Sequence, residues 1–151
     1  MTPTRSSGGL SPSLARIEAL ARSSSDYPAS GVHAAFLLEP DRLAAAAGIL
    51  IEDGFFLECI AGVDVLEGIM VVYTFDRFDR CERILLRVLV SHHRKIVPSL
   101  VCLISGADWH ERECHDFFGV VFEGHPGLTP LLLSEEEKGH PLLKENGRKS
   151  A

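Results

Sequence analysis

The sequence predicts an α+β fold: an antiparallel β-meander sheet packed against helices, followed by a charged signature helix and an irregular, extended C-terminal tail. Three observations lead there. Strand-length runs rich in β-formers, at residues 56–61, 69–75 and 84–90, follow one another with short linkers between them. Just upstream, Leu43, Ala44, Ala47, Leu50 and Ile51 recur at helical spacing. Beyond Gly119 the chain carries Pro126, Pro130 and Pro141 among several glycines, which no regular core element accommodates.

Residues 1–13, rich in Ser, Thr, Gly and Pro, hold almost nothing to bury and are expected to be disordered. The domain itself is expected over 14–125. It opens on a short helix from Leu14, Ile17 and Leu20, which Ser23-Ser24-Ser25-Asp26-Tyr27-Pro28 stops as a loop. Val32 to Leu38 reads as a strand, Asp41 as the N-cap of the helix from Leu43, and Gly54 as its C-terminal stop. The linkers at 62–68 and 76–80 are short enough for antiparallel hairpins. Ser91-His92-His93-Arg94-Lys95 reads as a solvated turn, and 96–104 as an extended segment that Pro98 confines to an edge. Ser105 or Asp108 is placed to cap a helix ending near Gly119, with Glu111 as its capping-box acid. A short strand follows at 120–123. Residues 126–151 form the tail, and its Leu128, Leu131-Leu132-Leu133 and Leu142-Leu143 are too apolar for a solvated extension, so it must lie on its own domain or on another chain.

Composition narrows the function classes. A chain of 151 residues, 46% hydrophobic and 24% charged, suits one domain with a true core. Cys59, Cys81, Cys102 and Cys114 form no Cys-x-x-Cys pair, which fits neither a disulfide framework nor a zinc ribbon or iron–sulfur ligand set and points to a reducing cytoplasm. A net charge of −6 without a basic stripe argues against nucleic acid. The N-terminus lacks the apolar core of a signal peptide, and no run nears the roughly 18 apolar residues of a membrane span, so a membrane is expected only through a partner.

The run from Trp109 to His125 concentrates the reactive side chains. At helical spacing Trp109, Glu113 and Phe117 share a face, as do His110 with Cys114, Glu111 with His115, and Arg112 with Asp116, the last as a surface ion pair of about 0.2–0.5 kcal/mol. His110, Cys114 and His115, with His125 or Glu111, are the candidate ligands of a stand-alone zinc enzyme. Against this, Cys114 stands where the second histidine of His-Glu-x-x-His belongs, and His115 comes one residue too late for the face of His110. Cys114 as a nucleophile lacks the electropositive setting it needs, lying among Glu111, Glu113 and Asp116. The glycines form no phosphate-binding spacing. Turn-forming residues beside unbalanced acids and an apolar irregular segment favour an interaction surface.

Ala107-Asp108-Trp109-His110-Glu111-Arg112-Glu113-Cys114-His115-Asp116-Phe117-Phe118-Gly119-Val120, then Phe122-Glu123-Gly124-His125-Pro126-Gly127-Leu128, Leu131-Leu132-Leu133 and Gly139-His140-Pro141-Leu142-Leu143-Lys144-Glu145, resembles the signature of the 30 kDa (C-type) subunit family of NADH-quinone oxidoreductase, respiratory complex I. The resemblance implies a non-catalytic, cofactor-free hydrophilic subunit of the peripheral arm, on the cytoplasmic side of the inner membrane. It scaffolds a large hydrogenase-like subunit near the quinone site, beside iron–sulfur subunits, with NADH, flavin, clusters and quinone all in partner subunits. A related subunit of a membrane-bound energy-converting hydrogenase is the alternative. By the same resemblance the partner interface comprises Trp109, Glu111, Arg112, Glu113 and Asp116 of the helix, Gly119 at its turn, Gly124, His125, Pro126 and Leu128 leading into the tail, and Pro141 and Lys144 within it. The family commonly has a tyrosine or tryptophan at His115, basic residues at Thr129-Pro130 and an arginine at Leu143, so the tail here is less positive.

Overall fold

A computed structural model describes residues 9–144. Strands β1 (Ala21–Ser24), β2 (Ala34–Leu38), β3 (Phe55–Val65), β4 (Gly68–Arg77) and β5 (Ile84–Val90) form one five-stranded sheet in the order β1-β2-β5-β4-β3. Between β1 and β2 lies a single helical turn, α1 (Tyr27–Ser30); α2 (Leu43–Glu52) joins β2 to β3. Strand β6 (Ile96–Pro98), helix α3 (Ala107–Phe118) and strand β7 (Val121–Glu123) complete the regular elements, with β6 and β7 paired in parallel as a separate small sheet.

Alternation in β4 and β5 turns Ile69, Val71, Tyr73 and Phe75, with Ile84, Leu86 and Val88, into the core, each fully buried. Helix α2 adds Leu43, Ala46, Ala47 and Leu50, and α3 adds Ala107, Cys114 and Phe118, to the same cluster. Gly62 makes the α3 packing feasible. A Cβ built there would sit 2.5 Å from the Phe118 ring, so β3 can approach α3 only at a residue without one.

Several expectations need correction. The sheet is mixed rather than wholly antiparallel: β3, β4 and β5 pair antiparallel in sequence, but β2 runs parallel to β5, because the chain leaves β2 through α2 and returns at the far edge. No α-helix forms over 14–20. Residues Pro12–Arg16 make a 3-10 turn, and β1 adds an antiparallel edge strand whose four residues are all exposed. Such a strand is held by backbone pairing and leaves no hydrophobic period to read. Asp41 does not cap α2; it lies inside a 3-10 turn, Pro40–Arg42, that runs into the helix. Only Ile96–Pro98 of the 96–104 segment is strand.

The N-terminal segment is also more ordered than its composition implies. Ser11 is buried, donating from its amide and hydroxyl to the two oxygens of buried Glu82 at 2.6 and 2.7 Å, while Arg77 and Arg80 contact the same pair. Residues 1–8 and 145–151, the remaining parts of the expected disordered start and of the tail, lie outside the described residues.

Candidate docking site on helix α3 and the chain that follows

Helix α3 begins at Gly106 without a side-chain cap, so neither Ser105 nor Asp108 plays that part. Glu111 turns inward instead of forming a capping box. It is fully buried and accepts the Ser99 hydroxyl at 2.6 Å and the Leu100 amide at 2.7 Å, fastening the turn after β6 to the helix. Burial pushes its carboxyl above the ordinary glutamate value, although the bonds from Ser99 and Leu100 pull the other way.

Arg112 and Asp116 lie one turn apart, but each binds the returning chain and not its neighbour. The Arg112 guanidinium donates to the carbonyls of Thr129 at 3.1 Å and Pro130 at 3.0 Å. Asp116 Oδ2 accepts the successive amides of Leu131, Leu132 and Leu133 at 2.9, 2.8 and 3.2 Å. A cation takes carbonyls and an anion takes amides, so together they clamp 129–133 onto the helix. Burial works to raise the Asp116 carboxyl, but the amides of Leu132, Leu131 and Leu133 outweigh it and hold the group below the usual aspartate range.

The end of α3 is closed by the same returning chain. The carbonyls of residues 115–118 accept, in turn, the Gly119 amide at 2.9 Å, His140 Nδ1 at 2.8 Å, the Leu142 amide at 3.2 Å and Lys95 Nζ at 3.2 Å. Every orphan carbonyl of the last turn is thereby satisfied. Gly119 has φ of 72°, and a Cβ there would lie 2.6 Å from His140 Cδ2. Gly119→Ala should therefore lose about 1–3 kcal/mol from the left-handed backbone alone, and should loosen His140 with it; thermal melts together with protease sensitivity of 126–144 measure both.

Two further ties fix the ends of this segment. The Gly127 amide donates to His125 Nδ1 at 3.0 Å, which places the ring proton on Nε2, facing Asp108 Oδ1 at 3.0 Å but out of line for a full hydrogen bond. Asp64, buried on β3, accepts His92 Nε2 at 2.8 Å and the Lys144 amide at 2.8 Å. The His92 bond first, then that of Lys144, holds the Asp64 carboxyl below its ordinary range. The expected solvated turn at 91–95 thus carries a structural histidine. Asp64, Ser99, Lys95 and His140 escaped the sequence reading as site residues because their partners are set by the fold: Asp64 meets residues 28 and 80 positions away.

Buried Glu111, Asp116 and the His125 side chain consequently do not present themselves outward, contrary to the expectation for a charged docking helix. Trp109 and Glu113 do, and Gly124, Pro126 and Pro141 are also exposed, whereas Leu128 packs against the core and Lys144 is held through its backbone. Trp109, Glu113, Leu131 and Leu132 line a groove of about 570 Å³ with Asp108 and His110. Glu113 also borders a second hollow of about 200 Å³, shared with Phe117, Gly62 and Leu142. Trp109 is 69% exposed, Leu132 61% and Leu142 53%, an apolar face left in water.

His110, Cys114 and His115 do not converge. Among the described residues no three His, Cys, Asp or Glu side chains gather as a metal shell, and His115 Nδ1 is bonded to the Val120 carbonyl at 2.8 Å. Burial first, then Glu113 and Glu111, pushes the Cys114 thiol up to about 12, the opposite of an activated nucleophile. In the native chain iodoacetamide should label exposed Cys102 and spare Cys114, as peptide mapping by mass spectrometry would show. Among the described residues no helix is long and apolar enough to cross a membrane.

The profile of the family described as respiratory-chain NADH dehydrogenase, 30 Kd subunit, matches residues 36–150. The chain belongs to that family. It is 42% identical over 115 residues to the C-type subunit of NADH-quinone oxidoreductase from Roseiflexus sp., covering 72% of this chain and 66% of that relative. To the same subunit from Salinispora tropica it is 34% identical over 116 residues, 72% of this chain and 47% of that one. The chain thus spans about half to two thirds of the length of these relatives. Among solved structures it resembles a trypsin-resistant fragment of Nqo5, with a TM-score of 0.58 and 30% identity over 62% of this chain and 81% of that one. It also resembles a chain of the membrane-bound sulfane sulfur reductase, an archaeal respiratory membrane complex, with a TM-score of 0.68 and 26% identity over 74% and 70% of the two chains.

Proposed function

We propose that this chain is the cofactor-free 30 kDa-type subunit of an NADH-quinone oxidoreductase-like complex. It scaffolds a large hydrogenase-like subunit near the quinone site, on the cytoplasmic side of the membrane, while NADH, flavin, iron–sulfur clusters and quinone belong to partner subunits. Family membership supports the reading. The observation that carries it is the division of labour on α3: Arg112 and Asp116 fold the following chain onto the helix, Glu111 fastens the preceding 99–100 turn to it, and Trp109, Glu113 and Leu132 stay exposed as a groove. Groups committed to backbone atoms hold a surface in shape, which is what a scaffold requires.

A second reading, the equivalent subunit of a membrane-bound energy-converting hydrogenase or related respiratory complex, is favoured by the likeness to the sulfane sulfur reductase chain. Purifying the tagged full chain from its host under mild detergent tests both. NADH-dependent quinone reduction in the recovered complex is expected. A complex that reacts with hydrogen and not with NADH would favour the second reading, and recovery of the chain alone would overturn both.

A further inference from the structure

We infer that the groove between α3 and the returning chain receives a basic segment of a partner protein, seating an apolar side chain against Trp109 and Leu132 and its lysines or arginines against the surrounding acids. The inference rests on the reading of this chain as a docking subunit and adds the chemistry of what docks.

The groove floor is apolar and open, made by the exposed Trp109 and Leu132 with Leu131 beside them. Exposed large side chains brought together from separate stretches of chain mark an anchor site better than a random surface. Acids line it and follow it in sequence. Glu113 and Asp108 line the groove, and beyond Ser134 the chain that supplies Leu131 and Leu132 continues as exposed Glu135-Glu136-Glu137, three acids against the single cation Lys138. Among the described residues, no ion pair engages Glu113 or any of these three glutamates. Arg112, the cation nearest in sequence to Glu113, has its guanidinium on the carbonyls of Thr129 and Pro130. An acidic partner would be repelled by these acids, and a neutral apolar one would leave their charges uncompensated; a basic segment with an apolar anchor satisfies both parts of the surface.

Trp109 is the chain's single tryptophan, so its emission reports on the groove alone. Purified full chain is titrated with a synthetic tryptophan-free amphipathic peptide of leucine and lysine. Saturable binding with a blue shift of Trp109 emission is expected. At least tenfold weaker binding is expected when serine replaces the peptide's leucines, when glutamate replaces its lysines, and for the Leu132→Ser and Glu113→Lys chains, whose circular dichroism should match the parent because both side chains are exposed. The inference is overturned by an unchanged emission, by equal binding of the serine or glutamate peptide, or by indifference to both substitutions. Failure here with the native complex still recovered on the tagged chain removes only this inference; loss of the complex as well removes the proposed function.

Discussion

Replacing Asp116 by alanine should release residues 129–133 from α3 while leaving the sheet and helix folded. The carboxylate accepts three consecutive backbone amides and is almost wholly buried, and bonds to a charged acceptor contribute about 1.5–3 kcal/mol each, though not additively. The loss has a ceiling, because the freed amides can turn to water once the segment lifts off. We expect about 3 kcal/mol, with new protease cleavage between 126 and 140 and unchanged far-ultraviolet circular dichroism. Acid should act in the same way. A carboxyl held below its ordinary value stabilises the fold above that value, and the contribution disappears as pH falls through the lowered one. Asp64, also lowered, fixes Lys144 by the same logic. Both ties should therefore hold at neutral pH and weaken only as pH falls below the ordinary aspartate value of about 3.9.

Glu111→Ala should cost the domain about 3–4 kcal/mol, since it leaves the buried Leu100 amide without its acceptor and opens a cavity where a fully buried side chain stood. Glu111→Gln should cost far less, about 1 kcal/mol, because an amide oxygen still accepts from Leu100 and no charge is buried. The pH dependence has the opposite sign to that of Asp116. With its carboxyl raised by burial, the folded chain keeps this proton where the unfolded chain has lost it, so stability falls as pH rises above the ordinary glutamate value of about 4.3. Urea denaturation across this range should show that decline in the parent and its absence in the glutamine variant. An equal loss in both variants would mean that the charge, and not the acceptor, holds the 99–100 turn.

Strands β4 and β5 were legible because half-buried strands alternate: Ile69, Val71, Tyr73 and Phe75 announce both their strand and its inner face, whereas β1, exposed throughout, announced nothing. Gly119 marked the end of α3 correctly, since a left-handed terminus favours glycine. The parallel pairing of β2 with β5 was not legible, because periodicity tells which face is buried and never which strand lies alongside. In the site, helical spacing placed Trp109, Glu113 and Phe117 on one face, and they do line adjoining hollows. The same spacing aligned Arg112 with Asp116 but missed what they bind, namely backbone groups 15 to 18 residues later in a segment without periodicity. A backbone amide leaves no trace in side-chain identity, so the clamp could be seen only in the fold.

In the role proposed for it, the charged run of α3 folds the following chain into a docking face. A tagged full-length chain carrying Trp109→Ala with Leu132→Ser, expressed in place of the parent, tests this most directly, because these exposed side chains should not support the fold. The variant is expected to keep the parental melting temperature and protease resistance while the partner subunits are lost on purification. Partner subunits recovered in parental amounts would contradict that role.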